Sequence, residues 1–147
     1  MKKVSFYVVL GLILRHFVRI GLTTGSSMEP TISDRQPILV HRFFIPKIND
    51  LVVFKNRSHG PKRLLKRIVA LEGDMVKFRF SRLYVNGQLV KEPYLKELMR
   101  YRITDDLVVP KNHVYVLGDN RNNSMDSRQL GPIPKKDVIG VVVYGRK

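Results

Sequence analysis

Cysteine is absent from all 147 residues. That excludes a disulfide framework, a thiolate nucleophile and any cysteine-ligated zinc or iron–sulfur centre. Acid is scarce: 12 Asp and Glu stand against 27 Lys and Arg, giving a formal charge of +15 and a pI near 10.4. So lopsided a balance implies an anionic neighbour, either nucleic acid or a membrane surface rich in acidic lipid. Histidine is limited to His16, His41, His59 and His113. None of them falls in an HExxH or other spaced metal-ligand pattern, so no metal site is expected and no histidine is assigned as a base. Repeats, low-complexity tracts and linkers are missing too, and the length suits one domain with its own core.

The N-terminus carries the one long apolar run. MKK is followed by VSFYVVLGLIL, uncharged from Val4 to Leu14, and then by RHFVRIGL. A spanning helix needs about 20 apolar residues, a length reached at Leu22 if Arg15 and Arg19 snorkel to one interface. A cleaved signal peptide would share the basic start, but no Ala-x-Ala-like site follows. A buried helix of a soluble domain would show a polar periodicity that is lacking here. Residues 1–22 are therefore expected to form a membrane anchor and interfacial segment, with residues 23–147 a single compact domain. Charge does not settle the orientation, because a large basic domain can be translocated regardless.

Beyond residue 25 the pattern is mostly β. Short apolar runs at 38–44, 51–54, 113–118 and 138–144 are bounded by turn residues, as strands are. RLLKRIVAL (63–71) is a longer strand ending at Glu72-Gly73-Asp74. MVKFRF (75–80) alternates, and residues 83–90 pair around Asn86-Gly87, a strong hairpin signal. Residues 91–112 mix weak helical pattern with turns and read as an excursion on the sheet.

Three stretches could carry chemistry. GSSMEPT (25–31) sets two serines in a turn-like sequence. In the strand 63–71, alternation puts Lys66 on a face with Leu64 and Ile68, and Arg67 on the other with Leu65 and Val69. An aqueous lysine, with a pKa of about 10.4, is a poor base at neutral pH, but burial can lower that value by several units. On this stretch alone, a lysine snorkelling from a partly exposed strand is the stronger reading. The polar run GDNRNNSMDSRQLGPIP (118–134) is either a solvated loop or a hydrogen-bonded scaffold, with Asp119 or Asp126 pairing Arg67 or Arg128.

Taken in order, these residues resemble the bacterial type I signal peptidases, membrane-anchored serine proteases that remove signal peptides from exported proteins. The resemblance spans essentially the whole chain: an apolar anchor ending in Arg15-x-Phe17, G-x-S-M-x-P-T (25–31), D-L-V-V-F (50–54) and K-R (66–67) leading to G-D (73–74). V-N-G (85–87), E-P-Y-L (92–95) and the long block G-D-N-R-x-N-S-x-D-S-R (118–128) complete it. It implies a mainly β fold of antiparallel sheets with short helices, preceded by the anchor helix. It implies Ser27 as nucleophile, since the family's nucleophile immediately precedes the motif methionine, and Lys66 as general base. Ser124 is then the serine that hydrogen-bonds the lysine, Asp119 and Arg67 a structural ion pair, and Asp126 and Arg128 further support. Gly25, Met28, Ile32, Leu64 and Leu65 are candidates for the substrate pockets.

The same resemblance implies peptide hydrolysis through an acyl-enzyme, after small-x-small sites of an extended substrate and without metal or organic cofactor. The partners would be signal peptides of exported preproteins and anionic lipid. The location would be the plasma membrane, single-pass, with the catalytic domain on the extracytoplasmic side. Gly25 departs from members whose serine there helps bind the oxyanion, leaving the Ser27 N–H as one donor. Glu72 and Asn49 stand where proline and glycine are more frequent, and the large extra β-domain of some members is absent. Two other readings compete. A soluble Ser-Lys autoprotease of the repressor-cleaving type fits poorly with the apolar N-terminus. A non-enzymatic basic membrane- or nucleic-acid-binding β-domain fits the charge, but without an aromatic platform nucleic acid is not expected.

Overall fold

Apolar runs of about five residues, broken by proline, glycine and asparagine, give antiparallel strands. The computed structural model describes residues 17–58, 60, 62–100 and 106–144. In chain order its strands are β1 (Val18–Leu22), β2 (Pro37–His41), β3 (Leu51–Lys55), β4 (Arg63–Leu71), β5 (Met75–Arg79) and β6 (Arg82–Val85). They continue as β7 (Gln88–Leu89), β8 (Leu107–Val108), β9 (His113–Leu117), β10 (Ile133–Pro134) and β11 (Val138–Tyr144). One short helix, α1 (Ser127–Leu130), and a single 3-10 turn at Lys135–Asp137 complete the regular structure among the described residues.

The strands form two antiparallel sheets. Seven are ordered β1-β2-β11-β3-β4-β9-β10, and four are ordered β7-β6-β5-β8. β4 is central to the first sheet, pairing β3 in the register Leu51↔Arg67 and Val52↔Lys66, and β9 through Arg67↔Leu117. A bulge between Ile68 and Ala70 shifts the β4–β9 register, and the fully buried apolar residues of β4 divide between two clusters. Ile68 packs with Val52, Phe54, Val114, Val116 and Ile133. Val69 and Ala70 join the small sheet's Val76, Phe78 and Leu83. A third cluster, built from Met28, Ile32, Ile38, Val40, Leu51 and Val142, lies under the residue 25–32 turn.

The mainly β expectation agrees with this architecture. Val18–Leu22, read from sequence as the end of the anchor, is an edge strand paired with β2 from Val18↔His41 to Leu22↔Pro37. Ile20 and Leu22 are 82% and 68% exposed, so an apolar edge strand imitates in sequence the lipid-facing side of a helix. Residues 1–16 lie outside the described residues, and no helix among the described residues is long and apolar enough to cross a membrane. Within 91–112 the described residues 91–100 have no regular structure, while Leu107–Val108 adds a strand to the small sheet.

Candidate active site

The turn holding Ser27 is fixed from below. Met28 and Ile32 are 3% and 1% exposed and anchor it in the third cluster. Ile32 N–H donates to the Met28 carbonyl at 2.9 Å. Gly25 opens the turn at a φ of +91°, a backbone that side-chain-bearing residues rarely adopt. Its N–H donates to Asp34 Oδ1 at 2.7 Å. From the opposite side, Asn120 N–H donates to the Ser27 carbonyl at 3.0 Å and Asn120 Nδ2 to the Ser26 carbonyl at 3.2 Å. The Ser26 hydroxyl accepts from Asn123 Nδ2 at 2.8 Å. The two adjacent serines thus face different partners. The Ser27 N–H takes part in none of the turn's backbone hydrogen bonds.

Lys66 reaches this turn from β4. It is 2% exposed, and its Nζ donates to Ser27 Oγ at 2.7 Å and to the Leu65 carbonyl at 2.8 Å. Burial dominates its ionisation, lowering the pKa from 10.5 to about 8. Asp126 and Asp119 oppose that shift and Arg128 adds to it. A tenth or so of the amine is then neutral at pH 7, with a lone pair able to accept the Ser27 proton.

The charges around the pair are buried and matched. Arg67 forks onto Asp119, Nε to Oδ1 at 2.8 Å and Nη2 to Oδ2 at 2.6 Å, while Nη1 donates to the Asn49 carbonyl at 3.2 Å. Thr31 Oγ1 donates to the same carboxylate, tying the turn that holds Ser27 to β4. Asn49 holds a φ of +72°, which explains an asparagine where glycine is frequent, since asparagine tolerates this region best among the others. Asp126 caps α1 in a capping box with Gln129 and pairs with Arg128 Nε at 2.8 Å. It also accepts from the Gly118 N–H at 3.0 Å. Glu72, in place of proline, accepts from Asn112 N–H at 2.7 Å and pairs with Lys135, so the turn keeps its hold without the ring.

The Ser124 hydroxyl is buried and makes no hydrogen bond among the described residues. It is seated against Gly118, where an added Cβ would lie 2.2 Å from Ser124 Oγ and 2.6 Å from the Ser27 carbonyl oxygen. Two of the lysine's three N–H groups are already taken by Ser27 and Leu65. Three further buried or half-buried groups carried no expected role: Arg121 forks onto Glu92, and Tyr94 donates its hydroxyl to Glu92 at 2.8 Å. Their signal was their presence in the E-P-Y-L and G-D-N-R motifs.

Beside Ser27 and Lys66 lies a groove of about 540 Å³. It brings together Gly25, Met28, Ile32, Leu64 and Leu65 with the edge strand β1 and with Ile38, Val40, Val53 and Ile139. β1 and β4 form its two sides, and both run towards the serine–lysine pair. His41 and His113 take no part, while His16 and His59 lie outside the described residues. No group of three or more potential metal ligands occurs among the described residues. What the arrangement can do chemically is move a proton from a hydroxyl to a desolvated amine beside an apolar cleft.

The whole chain is also similar to known proteins. A family model described as signal peptidase, peptidase S26, matches residues 1–144. Signal peptidase I V of Bacillus subtilis (strain 168) is 38% identical over 135 residues, covering 80% of this chain and 79% of that protein. Signal peptidase I of Bacillus amyloliquefaciens is 38% identical over 154 residues, covering 95% and 82%. A crystal structure of a signal peptidase I from Enterococcus faecalis V583 superposes with a TM-score of 0.57 at 30% identity, covering 67% of this chain and 97% of that one.

Proposed function

The chain belongs to the peptidase S26 family of type I signal peptidases, serine endopeptidases that cleave signal peptides, and from that premise we propose that Ser27 is its nucleophile and Lys66 its general base. The 2.7 Å contact between Ser27 Oγ and the buried Lys66 Nζ carries this reading. Neutral Lys66 takes the hydroxyl proton as Ser27 Oγ attacks the carbonyl of the residue before the scissile bond. The ammonium then protonates the departing amine, leaving an ester on Ser27, and the amine activates water to hydrolyse it. The Ser27 N–H supplies one oxyanion donor.

The substrate enters the groove as an extended segment between β1 and β4. Backbone pairing gives affinity there, and alternate side chains point into the cleft. With Met28, Ile32, Leu64 and Leu65 on its walls, the cleft accepts small residues one and three positions before the cut. Asp119, Arg67, Asp126 and Arg128 hold this geometry. The apolar N-terminus, which precedes β1 at Val18, holds the chain at the plasma membrane. The catalytic domain, residues 23–147 together with β1, stands on the extracytoplasmic side, and its basic surface rests on anionic lipid.

The test is cleavage of a preprotein by the full chain in detergent. Ser27→Ala and Lys66→Ala each abolish processing, whereas Ser26→Ala, which loses the Asn123 hydrogen bond, retains most of it. Cleavage by Ser27→Ala would falsify the assignment.

A further inference from the structure

Three consecutive residues of the 118–128 block reach three different parts of the site. Asp119 grips Arg67, the neighbour of Lys66 on β4. Asn120 N–H holds the Ser27 carbonyl at 3.0 Å. Arg121 forks onto Glu92, with its Nε donating to the Gly118 carbonyl at 3.0 Å. Tyr94 then returns the path to its start. Its hydroxyl donates to Glu92 at 2.8 Å, and its ring covers the Arg67 guanidinium at 3.9 Å from the centroid.

We infer that Tyr94 is a positioning residue, closing a ring of contacts through Arg67, Asp119, Asn120, Arg121 and Glu92 that holds nucleophile and base in register. The segment bearing it lacks regular structure and has little backbone pairing. It is held instead by side chains: Met99 in the core, Asn122 on Leu98 and Arg100, and the Glu92–Tyr94 contacts. It is therefore a strap across the block that steadies Ser27. A guanidinium paired with a carboxylate on its edge leaves its faces open to water, and the ring closes one of them. Without the ring, water reaches Arg67 and Asp119, and the β4 segment bearing Lys66 gains freedom. Tyr94 itself stays protonated, because burial and Glu92 raise its pKa against the opposing Arg121 and Arg67. Its own ionisation does not enter the pH profile.

The inference rests on the Ser27–Lys66 reading, and the assay separates the two. Full-length protein in detergent is titrated for active sites by its acyl-enzyme burst, so that unfolded molecules do not count. Tyr94→Leu lowers kcat per titrated site by about 100-fold, the scale of a misplacement near 1 Å. KM stays unchanged, because Tyr94 does not line the groove. Loosening Arg67 from Asp119 also lessens the desolvation of Lys66 and exposes it to more of the carboxylate charge, with Asp126 and Arg128 unchanged. The rising limb of the kcat–pH profile therefore moves up by about one pH unit. Tyr94→Phe keeps the ring, leaves the limb in place and costs about fivefold. Should Tyr94→Leu not fold, Glu92→Gln opens the same ring and lowers kcat per site by about tenfold. Fewer titratable sites with unchanged kcat and pH limb would mean a purely structural residue and would overturn the inference. An inactive wild type, or an active Ser27→Ala, defeats instead the catalytic assignment beneath it.

Discussion

Replacing Lys66 by methionine should make the protein more resistant to unfolding at neutral pH, and the gain should vanish in alkali. The lysine is 2% exposed and its pKa falls from 10.5 to about 8 because burial disfavours the ammonium. A group that binds protons more weakly when folded makes the unfolded state the better proton acceptor between the two values. Stability therefore rises with pH across that window. Below about pH 7 the amine is charged in both states and the penalty is complete, about 3 kcal/mol at 1.4 kcal/mol per pKa unit. By pH 10 the folded amine is neutral and the penalty has fallen below about 1 kcal/mol.

Methionine has nearly the same length and carries no charge, so its own stability lacks this term. The lost hydrogen bonds to Ser27 and Leu65 enter at both pH values and cancel in the difference. The burial-raised pKa values of Tyr94 and Tyr115, the latter pushed to about 12, apply to both proteins and cancel likewise. The assay is urea unfolding of full-length protein in detergent at pH 7 and pH 10. The wild type should gain about 2.5 kcal/mol relative to Lys66→Met between them. Parallel stability profiles would refute the claim that burial holds the amine near neutrality.

The same shift sets the activity profile: kcat/KM should climb with pH to a half-maximum near 8, and a limb following an ordinary lysine near 10.4 would contradict it. Gly118→Ala should remove nearly all activity, because its Cβ would meet Ser124 Oγ at 2.2 Å and the Ser27 carbonyl at 2.6 Å; preprotein cleavage and circular dichroism together separate a displaced serine from a failed fold. Asp119→Ala should cost about 3–5 kcal/mol in urea unfolding, since it strands Arg67 at 8% exposure without its carboxylate. By contrast, Arg35→Ala, which loses only a 3.9 Å ion pair with Asp34 at the surface, should change the unfolding free energy by no more than about 0.5 kcal/mol.

The strands read correctly from sequence are those with at least one buried face. β4, β9 and β11 owe their legibility to Leu, Ile and Val runs that have to be covered, and β6–β7 to Asn86-Gly87, whose φ values of 52° and 78° match its hairpin turn. The misread or missed elements lack such a signature. β1 exposes its apolar residues, and β8 and β10 are two residues long. The tip between β5 and β6 puts Phe80 and Ser81 at φ values of 49° and 62°, where asparagine and glycine are favoured. α1 is four residues, too short for periodicity to register, and exists because Asp126 and Gln129 cap it.

For the site, the difference lies between residues whose role is local and those whose role is relational. Lys66 could be placed on a strand and suspected of burial, but nothing within β4 shows that Ser27 is the group it meets across 39 positions. The motif order supplied that pairing, as it supplied Asp119 for Arg67. Ser124, which the motif order sets beside Lys66, has its hydroxyl against Gly118, where the missing Cβ leaves room for it; Lys66 gives two N–H groups to Ser27 and Leu65. Glu92, Tyr94 and Arg121 belong wholly to the relational kind. A charged pair at 1% and 6% side-chain exposure is costly to desolvate and strongly destabilising to break. It persists here on a strap with few backbone bonds, next to the two segments that must keep a serine and a lysine 2.7 Å apart.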